Sequence, residues 1–304
     1  MGLRTTSCVV TLAVLLGLLC AFTFAVAGGA RAWSNGGYSS NTAEPDYGTH
    51  DWIAEASLGI QTGNVSFLSA YDSMFLLGTE APDNPQYIGD TSEHHVYFRA
   101  SGLLQDDSAG IRAREMYNEA LSDLVGREWE QAAFHVGAMS HYIADMGVFG
   151  HTMGAGTDWG SESVHQDYED AVNSDIVTRD FPTSLPLGDE DAYNATIDLA
   201  HEITFGSGSV KANTWMDDNC DWSNGTYRSY AFASVDEAVE AVADAINHLV
   251  KDASLGSPQQ DNAPSPDGSQ PDRVDQTLLT AGIVAAVAAV VTAAIVIARS
   301  ISKR

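Results

Sequence analysis

Apolar residues recur at three- and four-residue intervals along much of this chain, and few segments alternate with a period of two. Thr49 stands where a helix cap would, ahead of Ile53, Ala54 and Leu58. Residues 67–77 place Leu68, Tyr71, Phe75 and Leu76 at helical spacing. The longest helical region is 112–145, with Met116, Leu121, Leu124, Trp129, Ala132, Val136 and Met139 available for burial and a break near Gly126. A last helix is predicted to start at Ser234, which makes a capping box with Glu237. Val235, Ala238, Val239, Val242, Ile246 and Leu249 form its apolar stripe. The pattern predicts an all-α fold, a single helical bundle domain. Residues 175–232 are harder to read, because Trp215, Trp222, Tyr227 and Tyr230 suit either a core or the lining of a substrate approach.

The two ends follow different rules. Residues 1–32 read as a secretory signal peptide, with Arg4 at the start, an apolar stretch, and Ala30-Arg31-Ala32 as a cleavage site that leaves Trp33 as the new N-terminus. Residues 277–298 are uncharged and apolar, and at about 1.5 Å per residue a helix there reaches roughly 33 Å, enough to cross a bilayer. Arg299, Lys303 and Arg304 follow and place the C-terminus in the cytoplasm. The Pro-, Ser-, Gly- and Asp-rich stretch 255–276 reads as a disordered stalk. The expected organisation is therefore signal peptide 1–32, folded domain 33–254, stalk 255–276, transmembrane helix 277–298 and cytoplasmic tail 299–304. Such a protein is single-pass in the cell membrane, with its folded domain extracellular.

Charge narrows the partners. The chain carries a formal net charge of −27, and Lys211 and Lys251 are the lysines between the signal and the tail. A surface this acidic and Lys-poor suits concentrated salt, where screening removes self-repulsion, and suggests a halophilic host. With neither a basic patch nor a phosphate-binding Gly motif, no nucleic-acid partner is expected. Cys8 and Cys20 fall in the signal, so Cys220 alone remains and no internal disulfide can form. Asn64, Asn194 and Asn224 begin glycosylation sequons.

The candidate chemistry lies at 141–169. His141 and Asp145 are four residues apart, as are His165 and Glu169, and on a helix each pair shares one face. His151 stands between the pairs. Imidazole with carboxylate is a ligand set for zinc, and two such pairs with an intervening His can hold more than one ion. Nine His serve the whole chain, so this grouping is hard to ascribe to scattered surface residues. The Gly-rich segment 147–160 is predicted to loop over the metal cleft.

The run His141-Tyr142-Ile143-Ala144-Asp145, then His151, then His165-Gln166-Asp167-Tyr168-Glu169, resembles the secreted zinc-dependent phospholipase C family, whose pattern is H-Y-x-x-D-x5-H followed by H-x-x-Y-E. Thr49-His50-Asp51-Trp52-Ile53 and His94-His95-Val96-Tyr97 resemble its earlier His motifs. A related single-strand nuclease family tends to read N-L-H-x-x-W-D at the last motif, so Tyr168-Glu169 favours the phospholipase branch. The resemblance implies an all-helical fold and three Zn2+. One ion would take His95, His141, Asp145 and an acidic residue near 83, and a second would take His151, His165 and Glu169. The third would take the Trp33 amine and carbonyl, His50, and the other oxygen of Asp145. Glu80 and Asp83 both stand in the acidic segment, and Asp83 is favoured because Pro82-Asp83 at a helix exit projects a short carboxylate. The resemblance also implies that this residue is the catalytic base. The implied activity is phospholipase C, releasing a phosphorylated headgroup from phospholipid or another phosphodiester. The alternatives are a nuclease or 3'-nucleotidase on the same scaffold, and a non-catalytic zinc-stabilised surface protein. Gly36, Gly37 and Pro82 depart from the family's choline-recognising positions, so choline specificity is not carried over.

Overall fold

The computed structural model describes residues 47–256, apart from 91, 177, 183 and 184. The expected signal peptide, Trp33, the transmembrane helix, the tail and all but the first two residues of the expected stalk lie outside the described residues. Among the described residues no helix is long and apolar enough to cross a membrane.

The described chain is mainly helical: α1 (Thr49–Gly59), α2 (Ser66–Ala70), α3 (Asp72–Glu80), α4 (Ser108–Gly126), α5 (Trp129–Ala144), α6 (His165–Ile176), α7 (Ala192–Phe205), α8 (Asn213–Asp218) and α9 (Gly225–Gly256). Helix α5 is the centre. From Val136 to Ala144 every residue is buried, which fits a helix that is apolar nearly all round. Helices α3, α4 and α9 pack on it. The stripe Val235, Ala238, Val239, Val242, Ile246 and Leu249 of α9 is fully buried, as its spacing predicts.

Several boundaries differ from the sequence reading. Thr49 is the first helical residue rather than the cap, and the Gly48 N–H donates to Asp51 Oδ2 at 2.9 Å. The helix expected over 67–77 is two helices parted at Tyr71. The break near Gly126 is present, with Arg127 in the left-handed region at φ 63°. Helix α9 begins at Gly225, so Ser234 lies inside it and its hydroxyl donates to the Tyr230 carbonyl one turn back. A helix already propagating on the packing of Tyr227 and Ala231, both buried, does not need a new cap there. The helix also runs to Gly256, two residues into the expected stalk. A two-stranded hairpin, β1 (Tyr97–Phe98) with β2 (Leu104–Asp106), was not expected from the pattern. Tyr227 is buried and Trp215, Trp222 and Tyr230 pack against the core, which settles the 175–232 aromatics as core rather than substrate approach.

One close crossing fixes the site. Gly78 of α3 and Gly137 of α5 meet backbone to backbone: a Cβ on Gly137 would lie 2.0 Å from the Phe75 carbonyl oxygen, and one on Gly78 would lie 2.1 Å from that of Phe134. The crossing lies one helical turn before His141 and just before the chain exits α3 towards Asp83. Gly137→Ala is expected to cost about 3 kcal/mol or more, because backbone cannot yield as a flexible side chain does. A Cβ on Gly59 meets nothing within 4 Å, so Gly59→Ala is expected to be neutral or slightly stabilising. Denaturant midpoints of the two variants in one salt concentration test the contrast.

Candidate metal centre

The end of α5 carries the hub. His141 and Asp145 both lie at zero exposure on the last turn and the 3-10 turn that follows, Asp145–Gly147. Helix α1 brings His50, whose ring stacks on that of His141 at 4.1 Å and whose Nε2 is 3.2 Å from Asp145 Oδ1. The exit of α3 brings Asp83, with Oδ1 4.0 Å from His141 Nε2. The segment before β1 brings His94, whose Nδ1 is 2.8 Å from Asp145 Oδ2 and 3.7 Å from Asp83 Oδ1. The 3-10 turn Phe149–Thr152 brings His151, with Nε2 3.8 Å from Asp145 Oδ1 and 3.6 Å from Glu169 Oε1. The first turn of α6 adds His165, whose Nε2 lies 2.6 Å from Glu169 Oε1. Gly150 makes room for that ring, since a Cβ there would meet it at 2.7 Å.

Three groups of ligand-type atoms result, each within 4.8 Å: His50 with His141 and Asp145, Asp83 with His94 and His141, and His151 with His165 and Glu169. Of the nine residues expected from sequence, His50, Asp83, His141, Asp145, His151, His165 and Glu169 come together, while Trp33 is outside the described residues. His95 is not brought in, and His94 takes its place. The His95 side chain turns the other way, stacking on Tyr97 at 4.4 Å with Nε2 3.4 Å from Asp106 Oδ1. The reason is the period-two alternation of the extended segment, in which His94, Val96 and Phe98 are buried while His95 and Tyr97 are half-buried on the opposite side. Glu80 is buried as well, but belongs to none of the three groups.

Supporting contacts hold the imidazoles in orientation. His141 Nδ1 is 2.6 Å from the Thr79 carbonyl, His94 Nε2 contacts that of Asp90, and His165 Nδ1 lies 3.5 Å from Glu162. Each leaves the other ring nitrogen directed at the cluster, the arrangement that outer partners impose on metal-binding His. Thr79 in turn donates its hydroxyl to Asp51, whose carboxyl burial pushes up to about 7. The sequence reading assigned these partners no role, and it quoted His94 within a His motif but gave the ligand role to His95.

The donor set fits cations. Asp145 Oδ1, His151 Nε2 and Glu169 Oε2 are buried without a hydrogen bond, each a state that costs about 1–3 kcal/mol unless something else satisfies it. Imidazole nitrogen with carboxylate oxygen is a zinc-type combination. Without a cation, protons must balance the carboxylates. Burial alone would lower the His141 imidazole, but Asp145, with help from Asp83 and the Thr79 carbonyl, holds it up at about 9. Burial also opposes protonation of His165, and Glu162 and Glu169 overcome it to push it up to about 10. For Asp145 burial is outweighed by His141 and His151, which hold its carboxyl well below the usual range.

A raised folded-state value makes protonation stabilising below the ordinary 6.5 and removes that stabilisation as pH rises through about 9 to 10. Metal-free protein is therefore expected to lose thermal stability between pH 6.5 and 10. Zinc-loaded protein should stay level over that range, because zinc occupies the same nitrogens. At pH 7 zinc uptake should release about two protons per chain, from His141 and His165, seen as a buffer-dependent heat in titration calorimetry.

Beside the groups lies a cleft of about 200 Å3. Asp83, His94, His151 and His165 of the metal groups line it, together with His95, Tyr97, Gly154 and Glu162. As the sequence predicts, the Gly-rich segment borders it, through Gly150, Gly154 and Ala155.

The sequence profile of the zinc dependent phospholipase C family matches residues 49–246. Among solved structures, the alpha toxin of Clostridium absonum superposes with a TM-score of 0.50 at 16% identity, over 68% of this chain and 65% of that one. An alpha-toxin from an avian strain of Clostridium perfringens gives 0.46 at 16% identity, over 69% and 65%. At that identity the first likeness concerns the fold alone, and this chain spans just under two thirds of either toxin's length. No curated protein matches in sequence.

Proposed function

We propose, from the premise that this chain belongs to the zinc dependent phospholipase C family, that it hydrolyses phospholipids between glycerol and phosphate, releasing the phosphorylated headgroup and a diradylglycerol. The observation that carries this reading is the convergence of three groups of His and carboxylate beside an open cleft, with Asp145 within 3.8 Å of an imidazole from each. His50, His141 and Asp145 would hold one zinc, with Trp33 the expected further ligand. Asp83, His94, His141 and Asp145 would hold a second, and His151, His165 and Glu169 a third. Zinc bound there lowers the pKa of a water towards about 7 and draws charge from the phosphate oxygens.

The chain's own residues divide the remaining work. Asp145 and Glu169 have side chains at zero exposure, whereas Asp83 is 13% exposed and lines the cleft. Asp83 both belongs to a metal group and lines the cleft, the position of a general base. It takes a proton from the water that adds to phosphorus. The phosphorus bond to the glycerol oxygen then breaks, and that oxygen takes up a proton. Glu162 fixes His165, and Tyr97 with His95 forms the wall against which the headgroup would lie. The domain would act outside the cell, held at the membrane by the helix expected at 277–298.

Phosphorus NMR of zinc-loaded protein in high salt, with mixed phospholipids in one sample and oligonucleotides in another, tests the reading. Release of phosphomonoester headgroups supports it. Nucleoside release instead would favour the nuclease reading, and a folded, zinc-loaded but inert protein would favour a structural role for the metal.

A further inference from the structure

The β1–β2 hairpin is anchored in the core by Phe98 and carries an exposed turn. Residues 99–105 are all exposed, and from Ala100 to Gln105 none is charged, in a chain of net charge −27. Leu103 is 65% exposed and Leu104 41%, and no other adjacent pair of large apolar side chains is so exposed among the described residues. The tip is built rather than loose. The Gly102 N–H donates to the Arg99 carbonyl at 2.8 Å, and the Arg99 N–H to that of Leu103 at 2.8 Å, with Gly102 at φ 82° making the turn. Leu103 lies mostly and Leu104 partly in water, an adjacent apolar pair of the kind that marks a contact surface.

The hairpin and the cleft lip form one unit. The Ala100 N–H donates to Asp158 Oδ2 at 2.8 Å, Gln105 Nε2 to the Gly156 carbonyl at 3.1 Å, and Trp159 Nε1 to that of Phe98 at 2.8 Å. These bonds tie the hairpin to 154–160, whose Gly154 and Ala155 line the cleft together with Tyr97 of β1. A Cβ on Gly154 would come within 2.8 Å of the Tyr97 hydroxyl, so the two segments touch directly. An apolar point fixed to the rim of a cleft for phosphodiesters marks the side from which a lipid would enter.

We propose that this hairpin is a membrane wedge: Leu103 and Leu104 enter the boundary between headgroups and acyl chains of a phospholipid bilayer and bring the cleft mouth to its surface. The inference rests on the phospholipase reading above for its occupant. Charge supports a zwitterionic surface, since Asp106, Asp107 and Asp158 beside the tip outnumber the exposed Arg99 and would be repelled by an anionic one at low salt.

The test uses the zinc-loaded full chain in phosphatidylcholine vesicles. Leu103→Trp should gain fluorescence that brominated acyl chains quench beyond the wild-type level. The double variant Leu103→Glu, Leu104→Glu should hydrolyse bilayer phosphatidylcholine at least tenfold more slowly, about 1.4 kcal/mol, and dissolved short-chain phosphatidylcholine at an unchanged rate. Quenching no greater than wild type, or equal loss on both substrates, overturns the wedge. So does a vesicle-free dimer that the Glu variant dissociates, because the tip would then cover a second copy. Absence of hydrolysis of phosphatidylcholine and of the mixed phospholipids above, with quenching intact, would sink the phospholipase reading and leave the wedge standing.

Discussion

Asp145→Asn is expected to reduce hydrolysis on the order of 10³-fold, well beyond the ~10–100-fold usual for losing an outer partner of a ligand. It should also remove more than one zinc per chain. Its Oδ1 faces His50 at 3.2 Å and His151 at 3.8 Å, and its Oδ2 faces His94 at 2.8 Å and His141 at 3.3 Å. Asp145 thus lies within 3.8 Å of four imidazoles. Asn keeps the volume but replaces one acceptor oxygen by an amide that cannot ligate, and removes the charge that offsets the cations. Both flanking groups then lose affinity together. Elemental analysis gives the zinc count, and circular dichroism confirms that the helices persist. Full zinc content with a near-normal rate would show that Asp145 is a buried ion-pair partner and that the groups do not share a bridging carboxylate.

The helical pairs were legible because their spacing and their environment agree. His141 with Asp145, and His165 with Glu169, fall at four-residue spacing, the first pair at the end of a helix buried nearly all round and the second at the start of a helix whose buried side is Tyr168, Glu169, Val172 and Ile176, so burial and ligand geometry agree. Asp83 was readable from the Pro-Asp step that ends α3, although Glu80 competed on the same grounds. What spacing could not supply is contact between distant segments. The acceptors behind the imidazoles include backbone carbonyls, those of Thr79 and Asp90, which carry no side-chain signature. The start of α9 was missed because Ser234 and Glu237 match a capping box that the continuing helix overrides, while Gly225 carries little helical propensity of its own. The hairpin was missed because two- and three-residue strands are too short to establish a period.

The His94-His95 doublet provides the sharpest discrimination, since two chemically identical neighbours are expected to behave oppositely. His94→Ala should lose about one zinc and slow hydrolysis by at least ~100-fold, as removal of a metal ligand does more than removal of its outer partner. His95→Ala should keep every zinc and show a change confined to KM and headgroup preference. The difference follows from direction alone. His94 lies within reach of Asp83, His141 and Asp145 and is 5% exposed, whereas His95 faces the cleft wall against Tyr97 and Asp106. Val96 and Phe98 fix the phase by burying their side chains on the His94 side, and a one-residue slip would expose both. Zinc counts and steady-state kinetics of the two variants in one buffer make the comparison. If His95→Ala loses the metal and His94→Ala keeps it, the segment runs in the opposite phase, and the assignment of the Asp83 group must be rebuilt around His95.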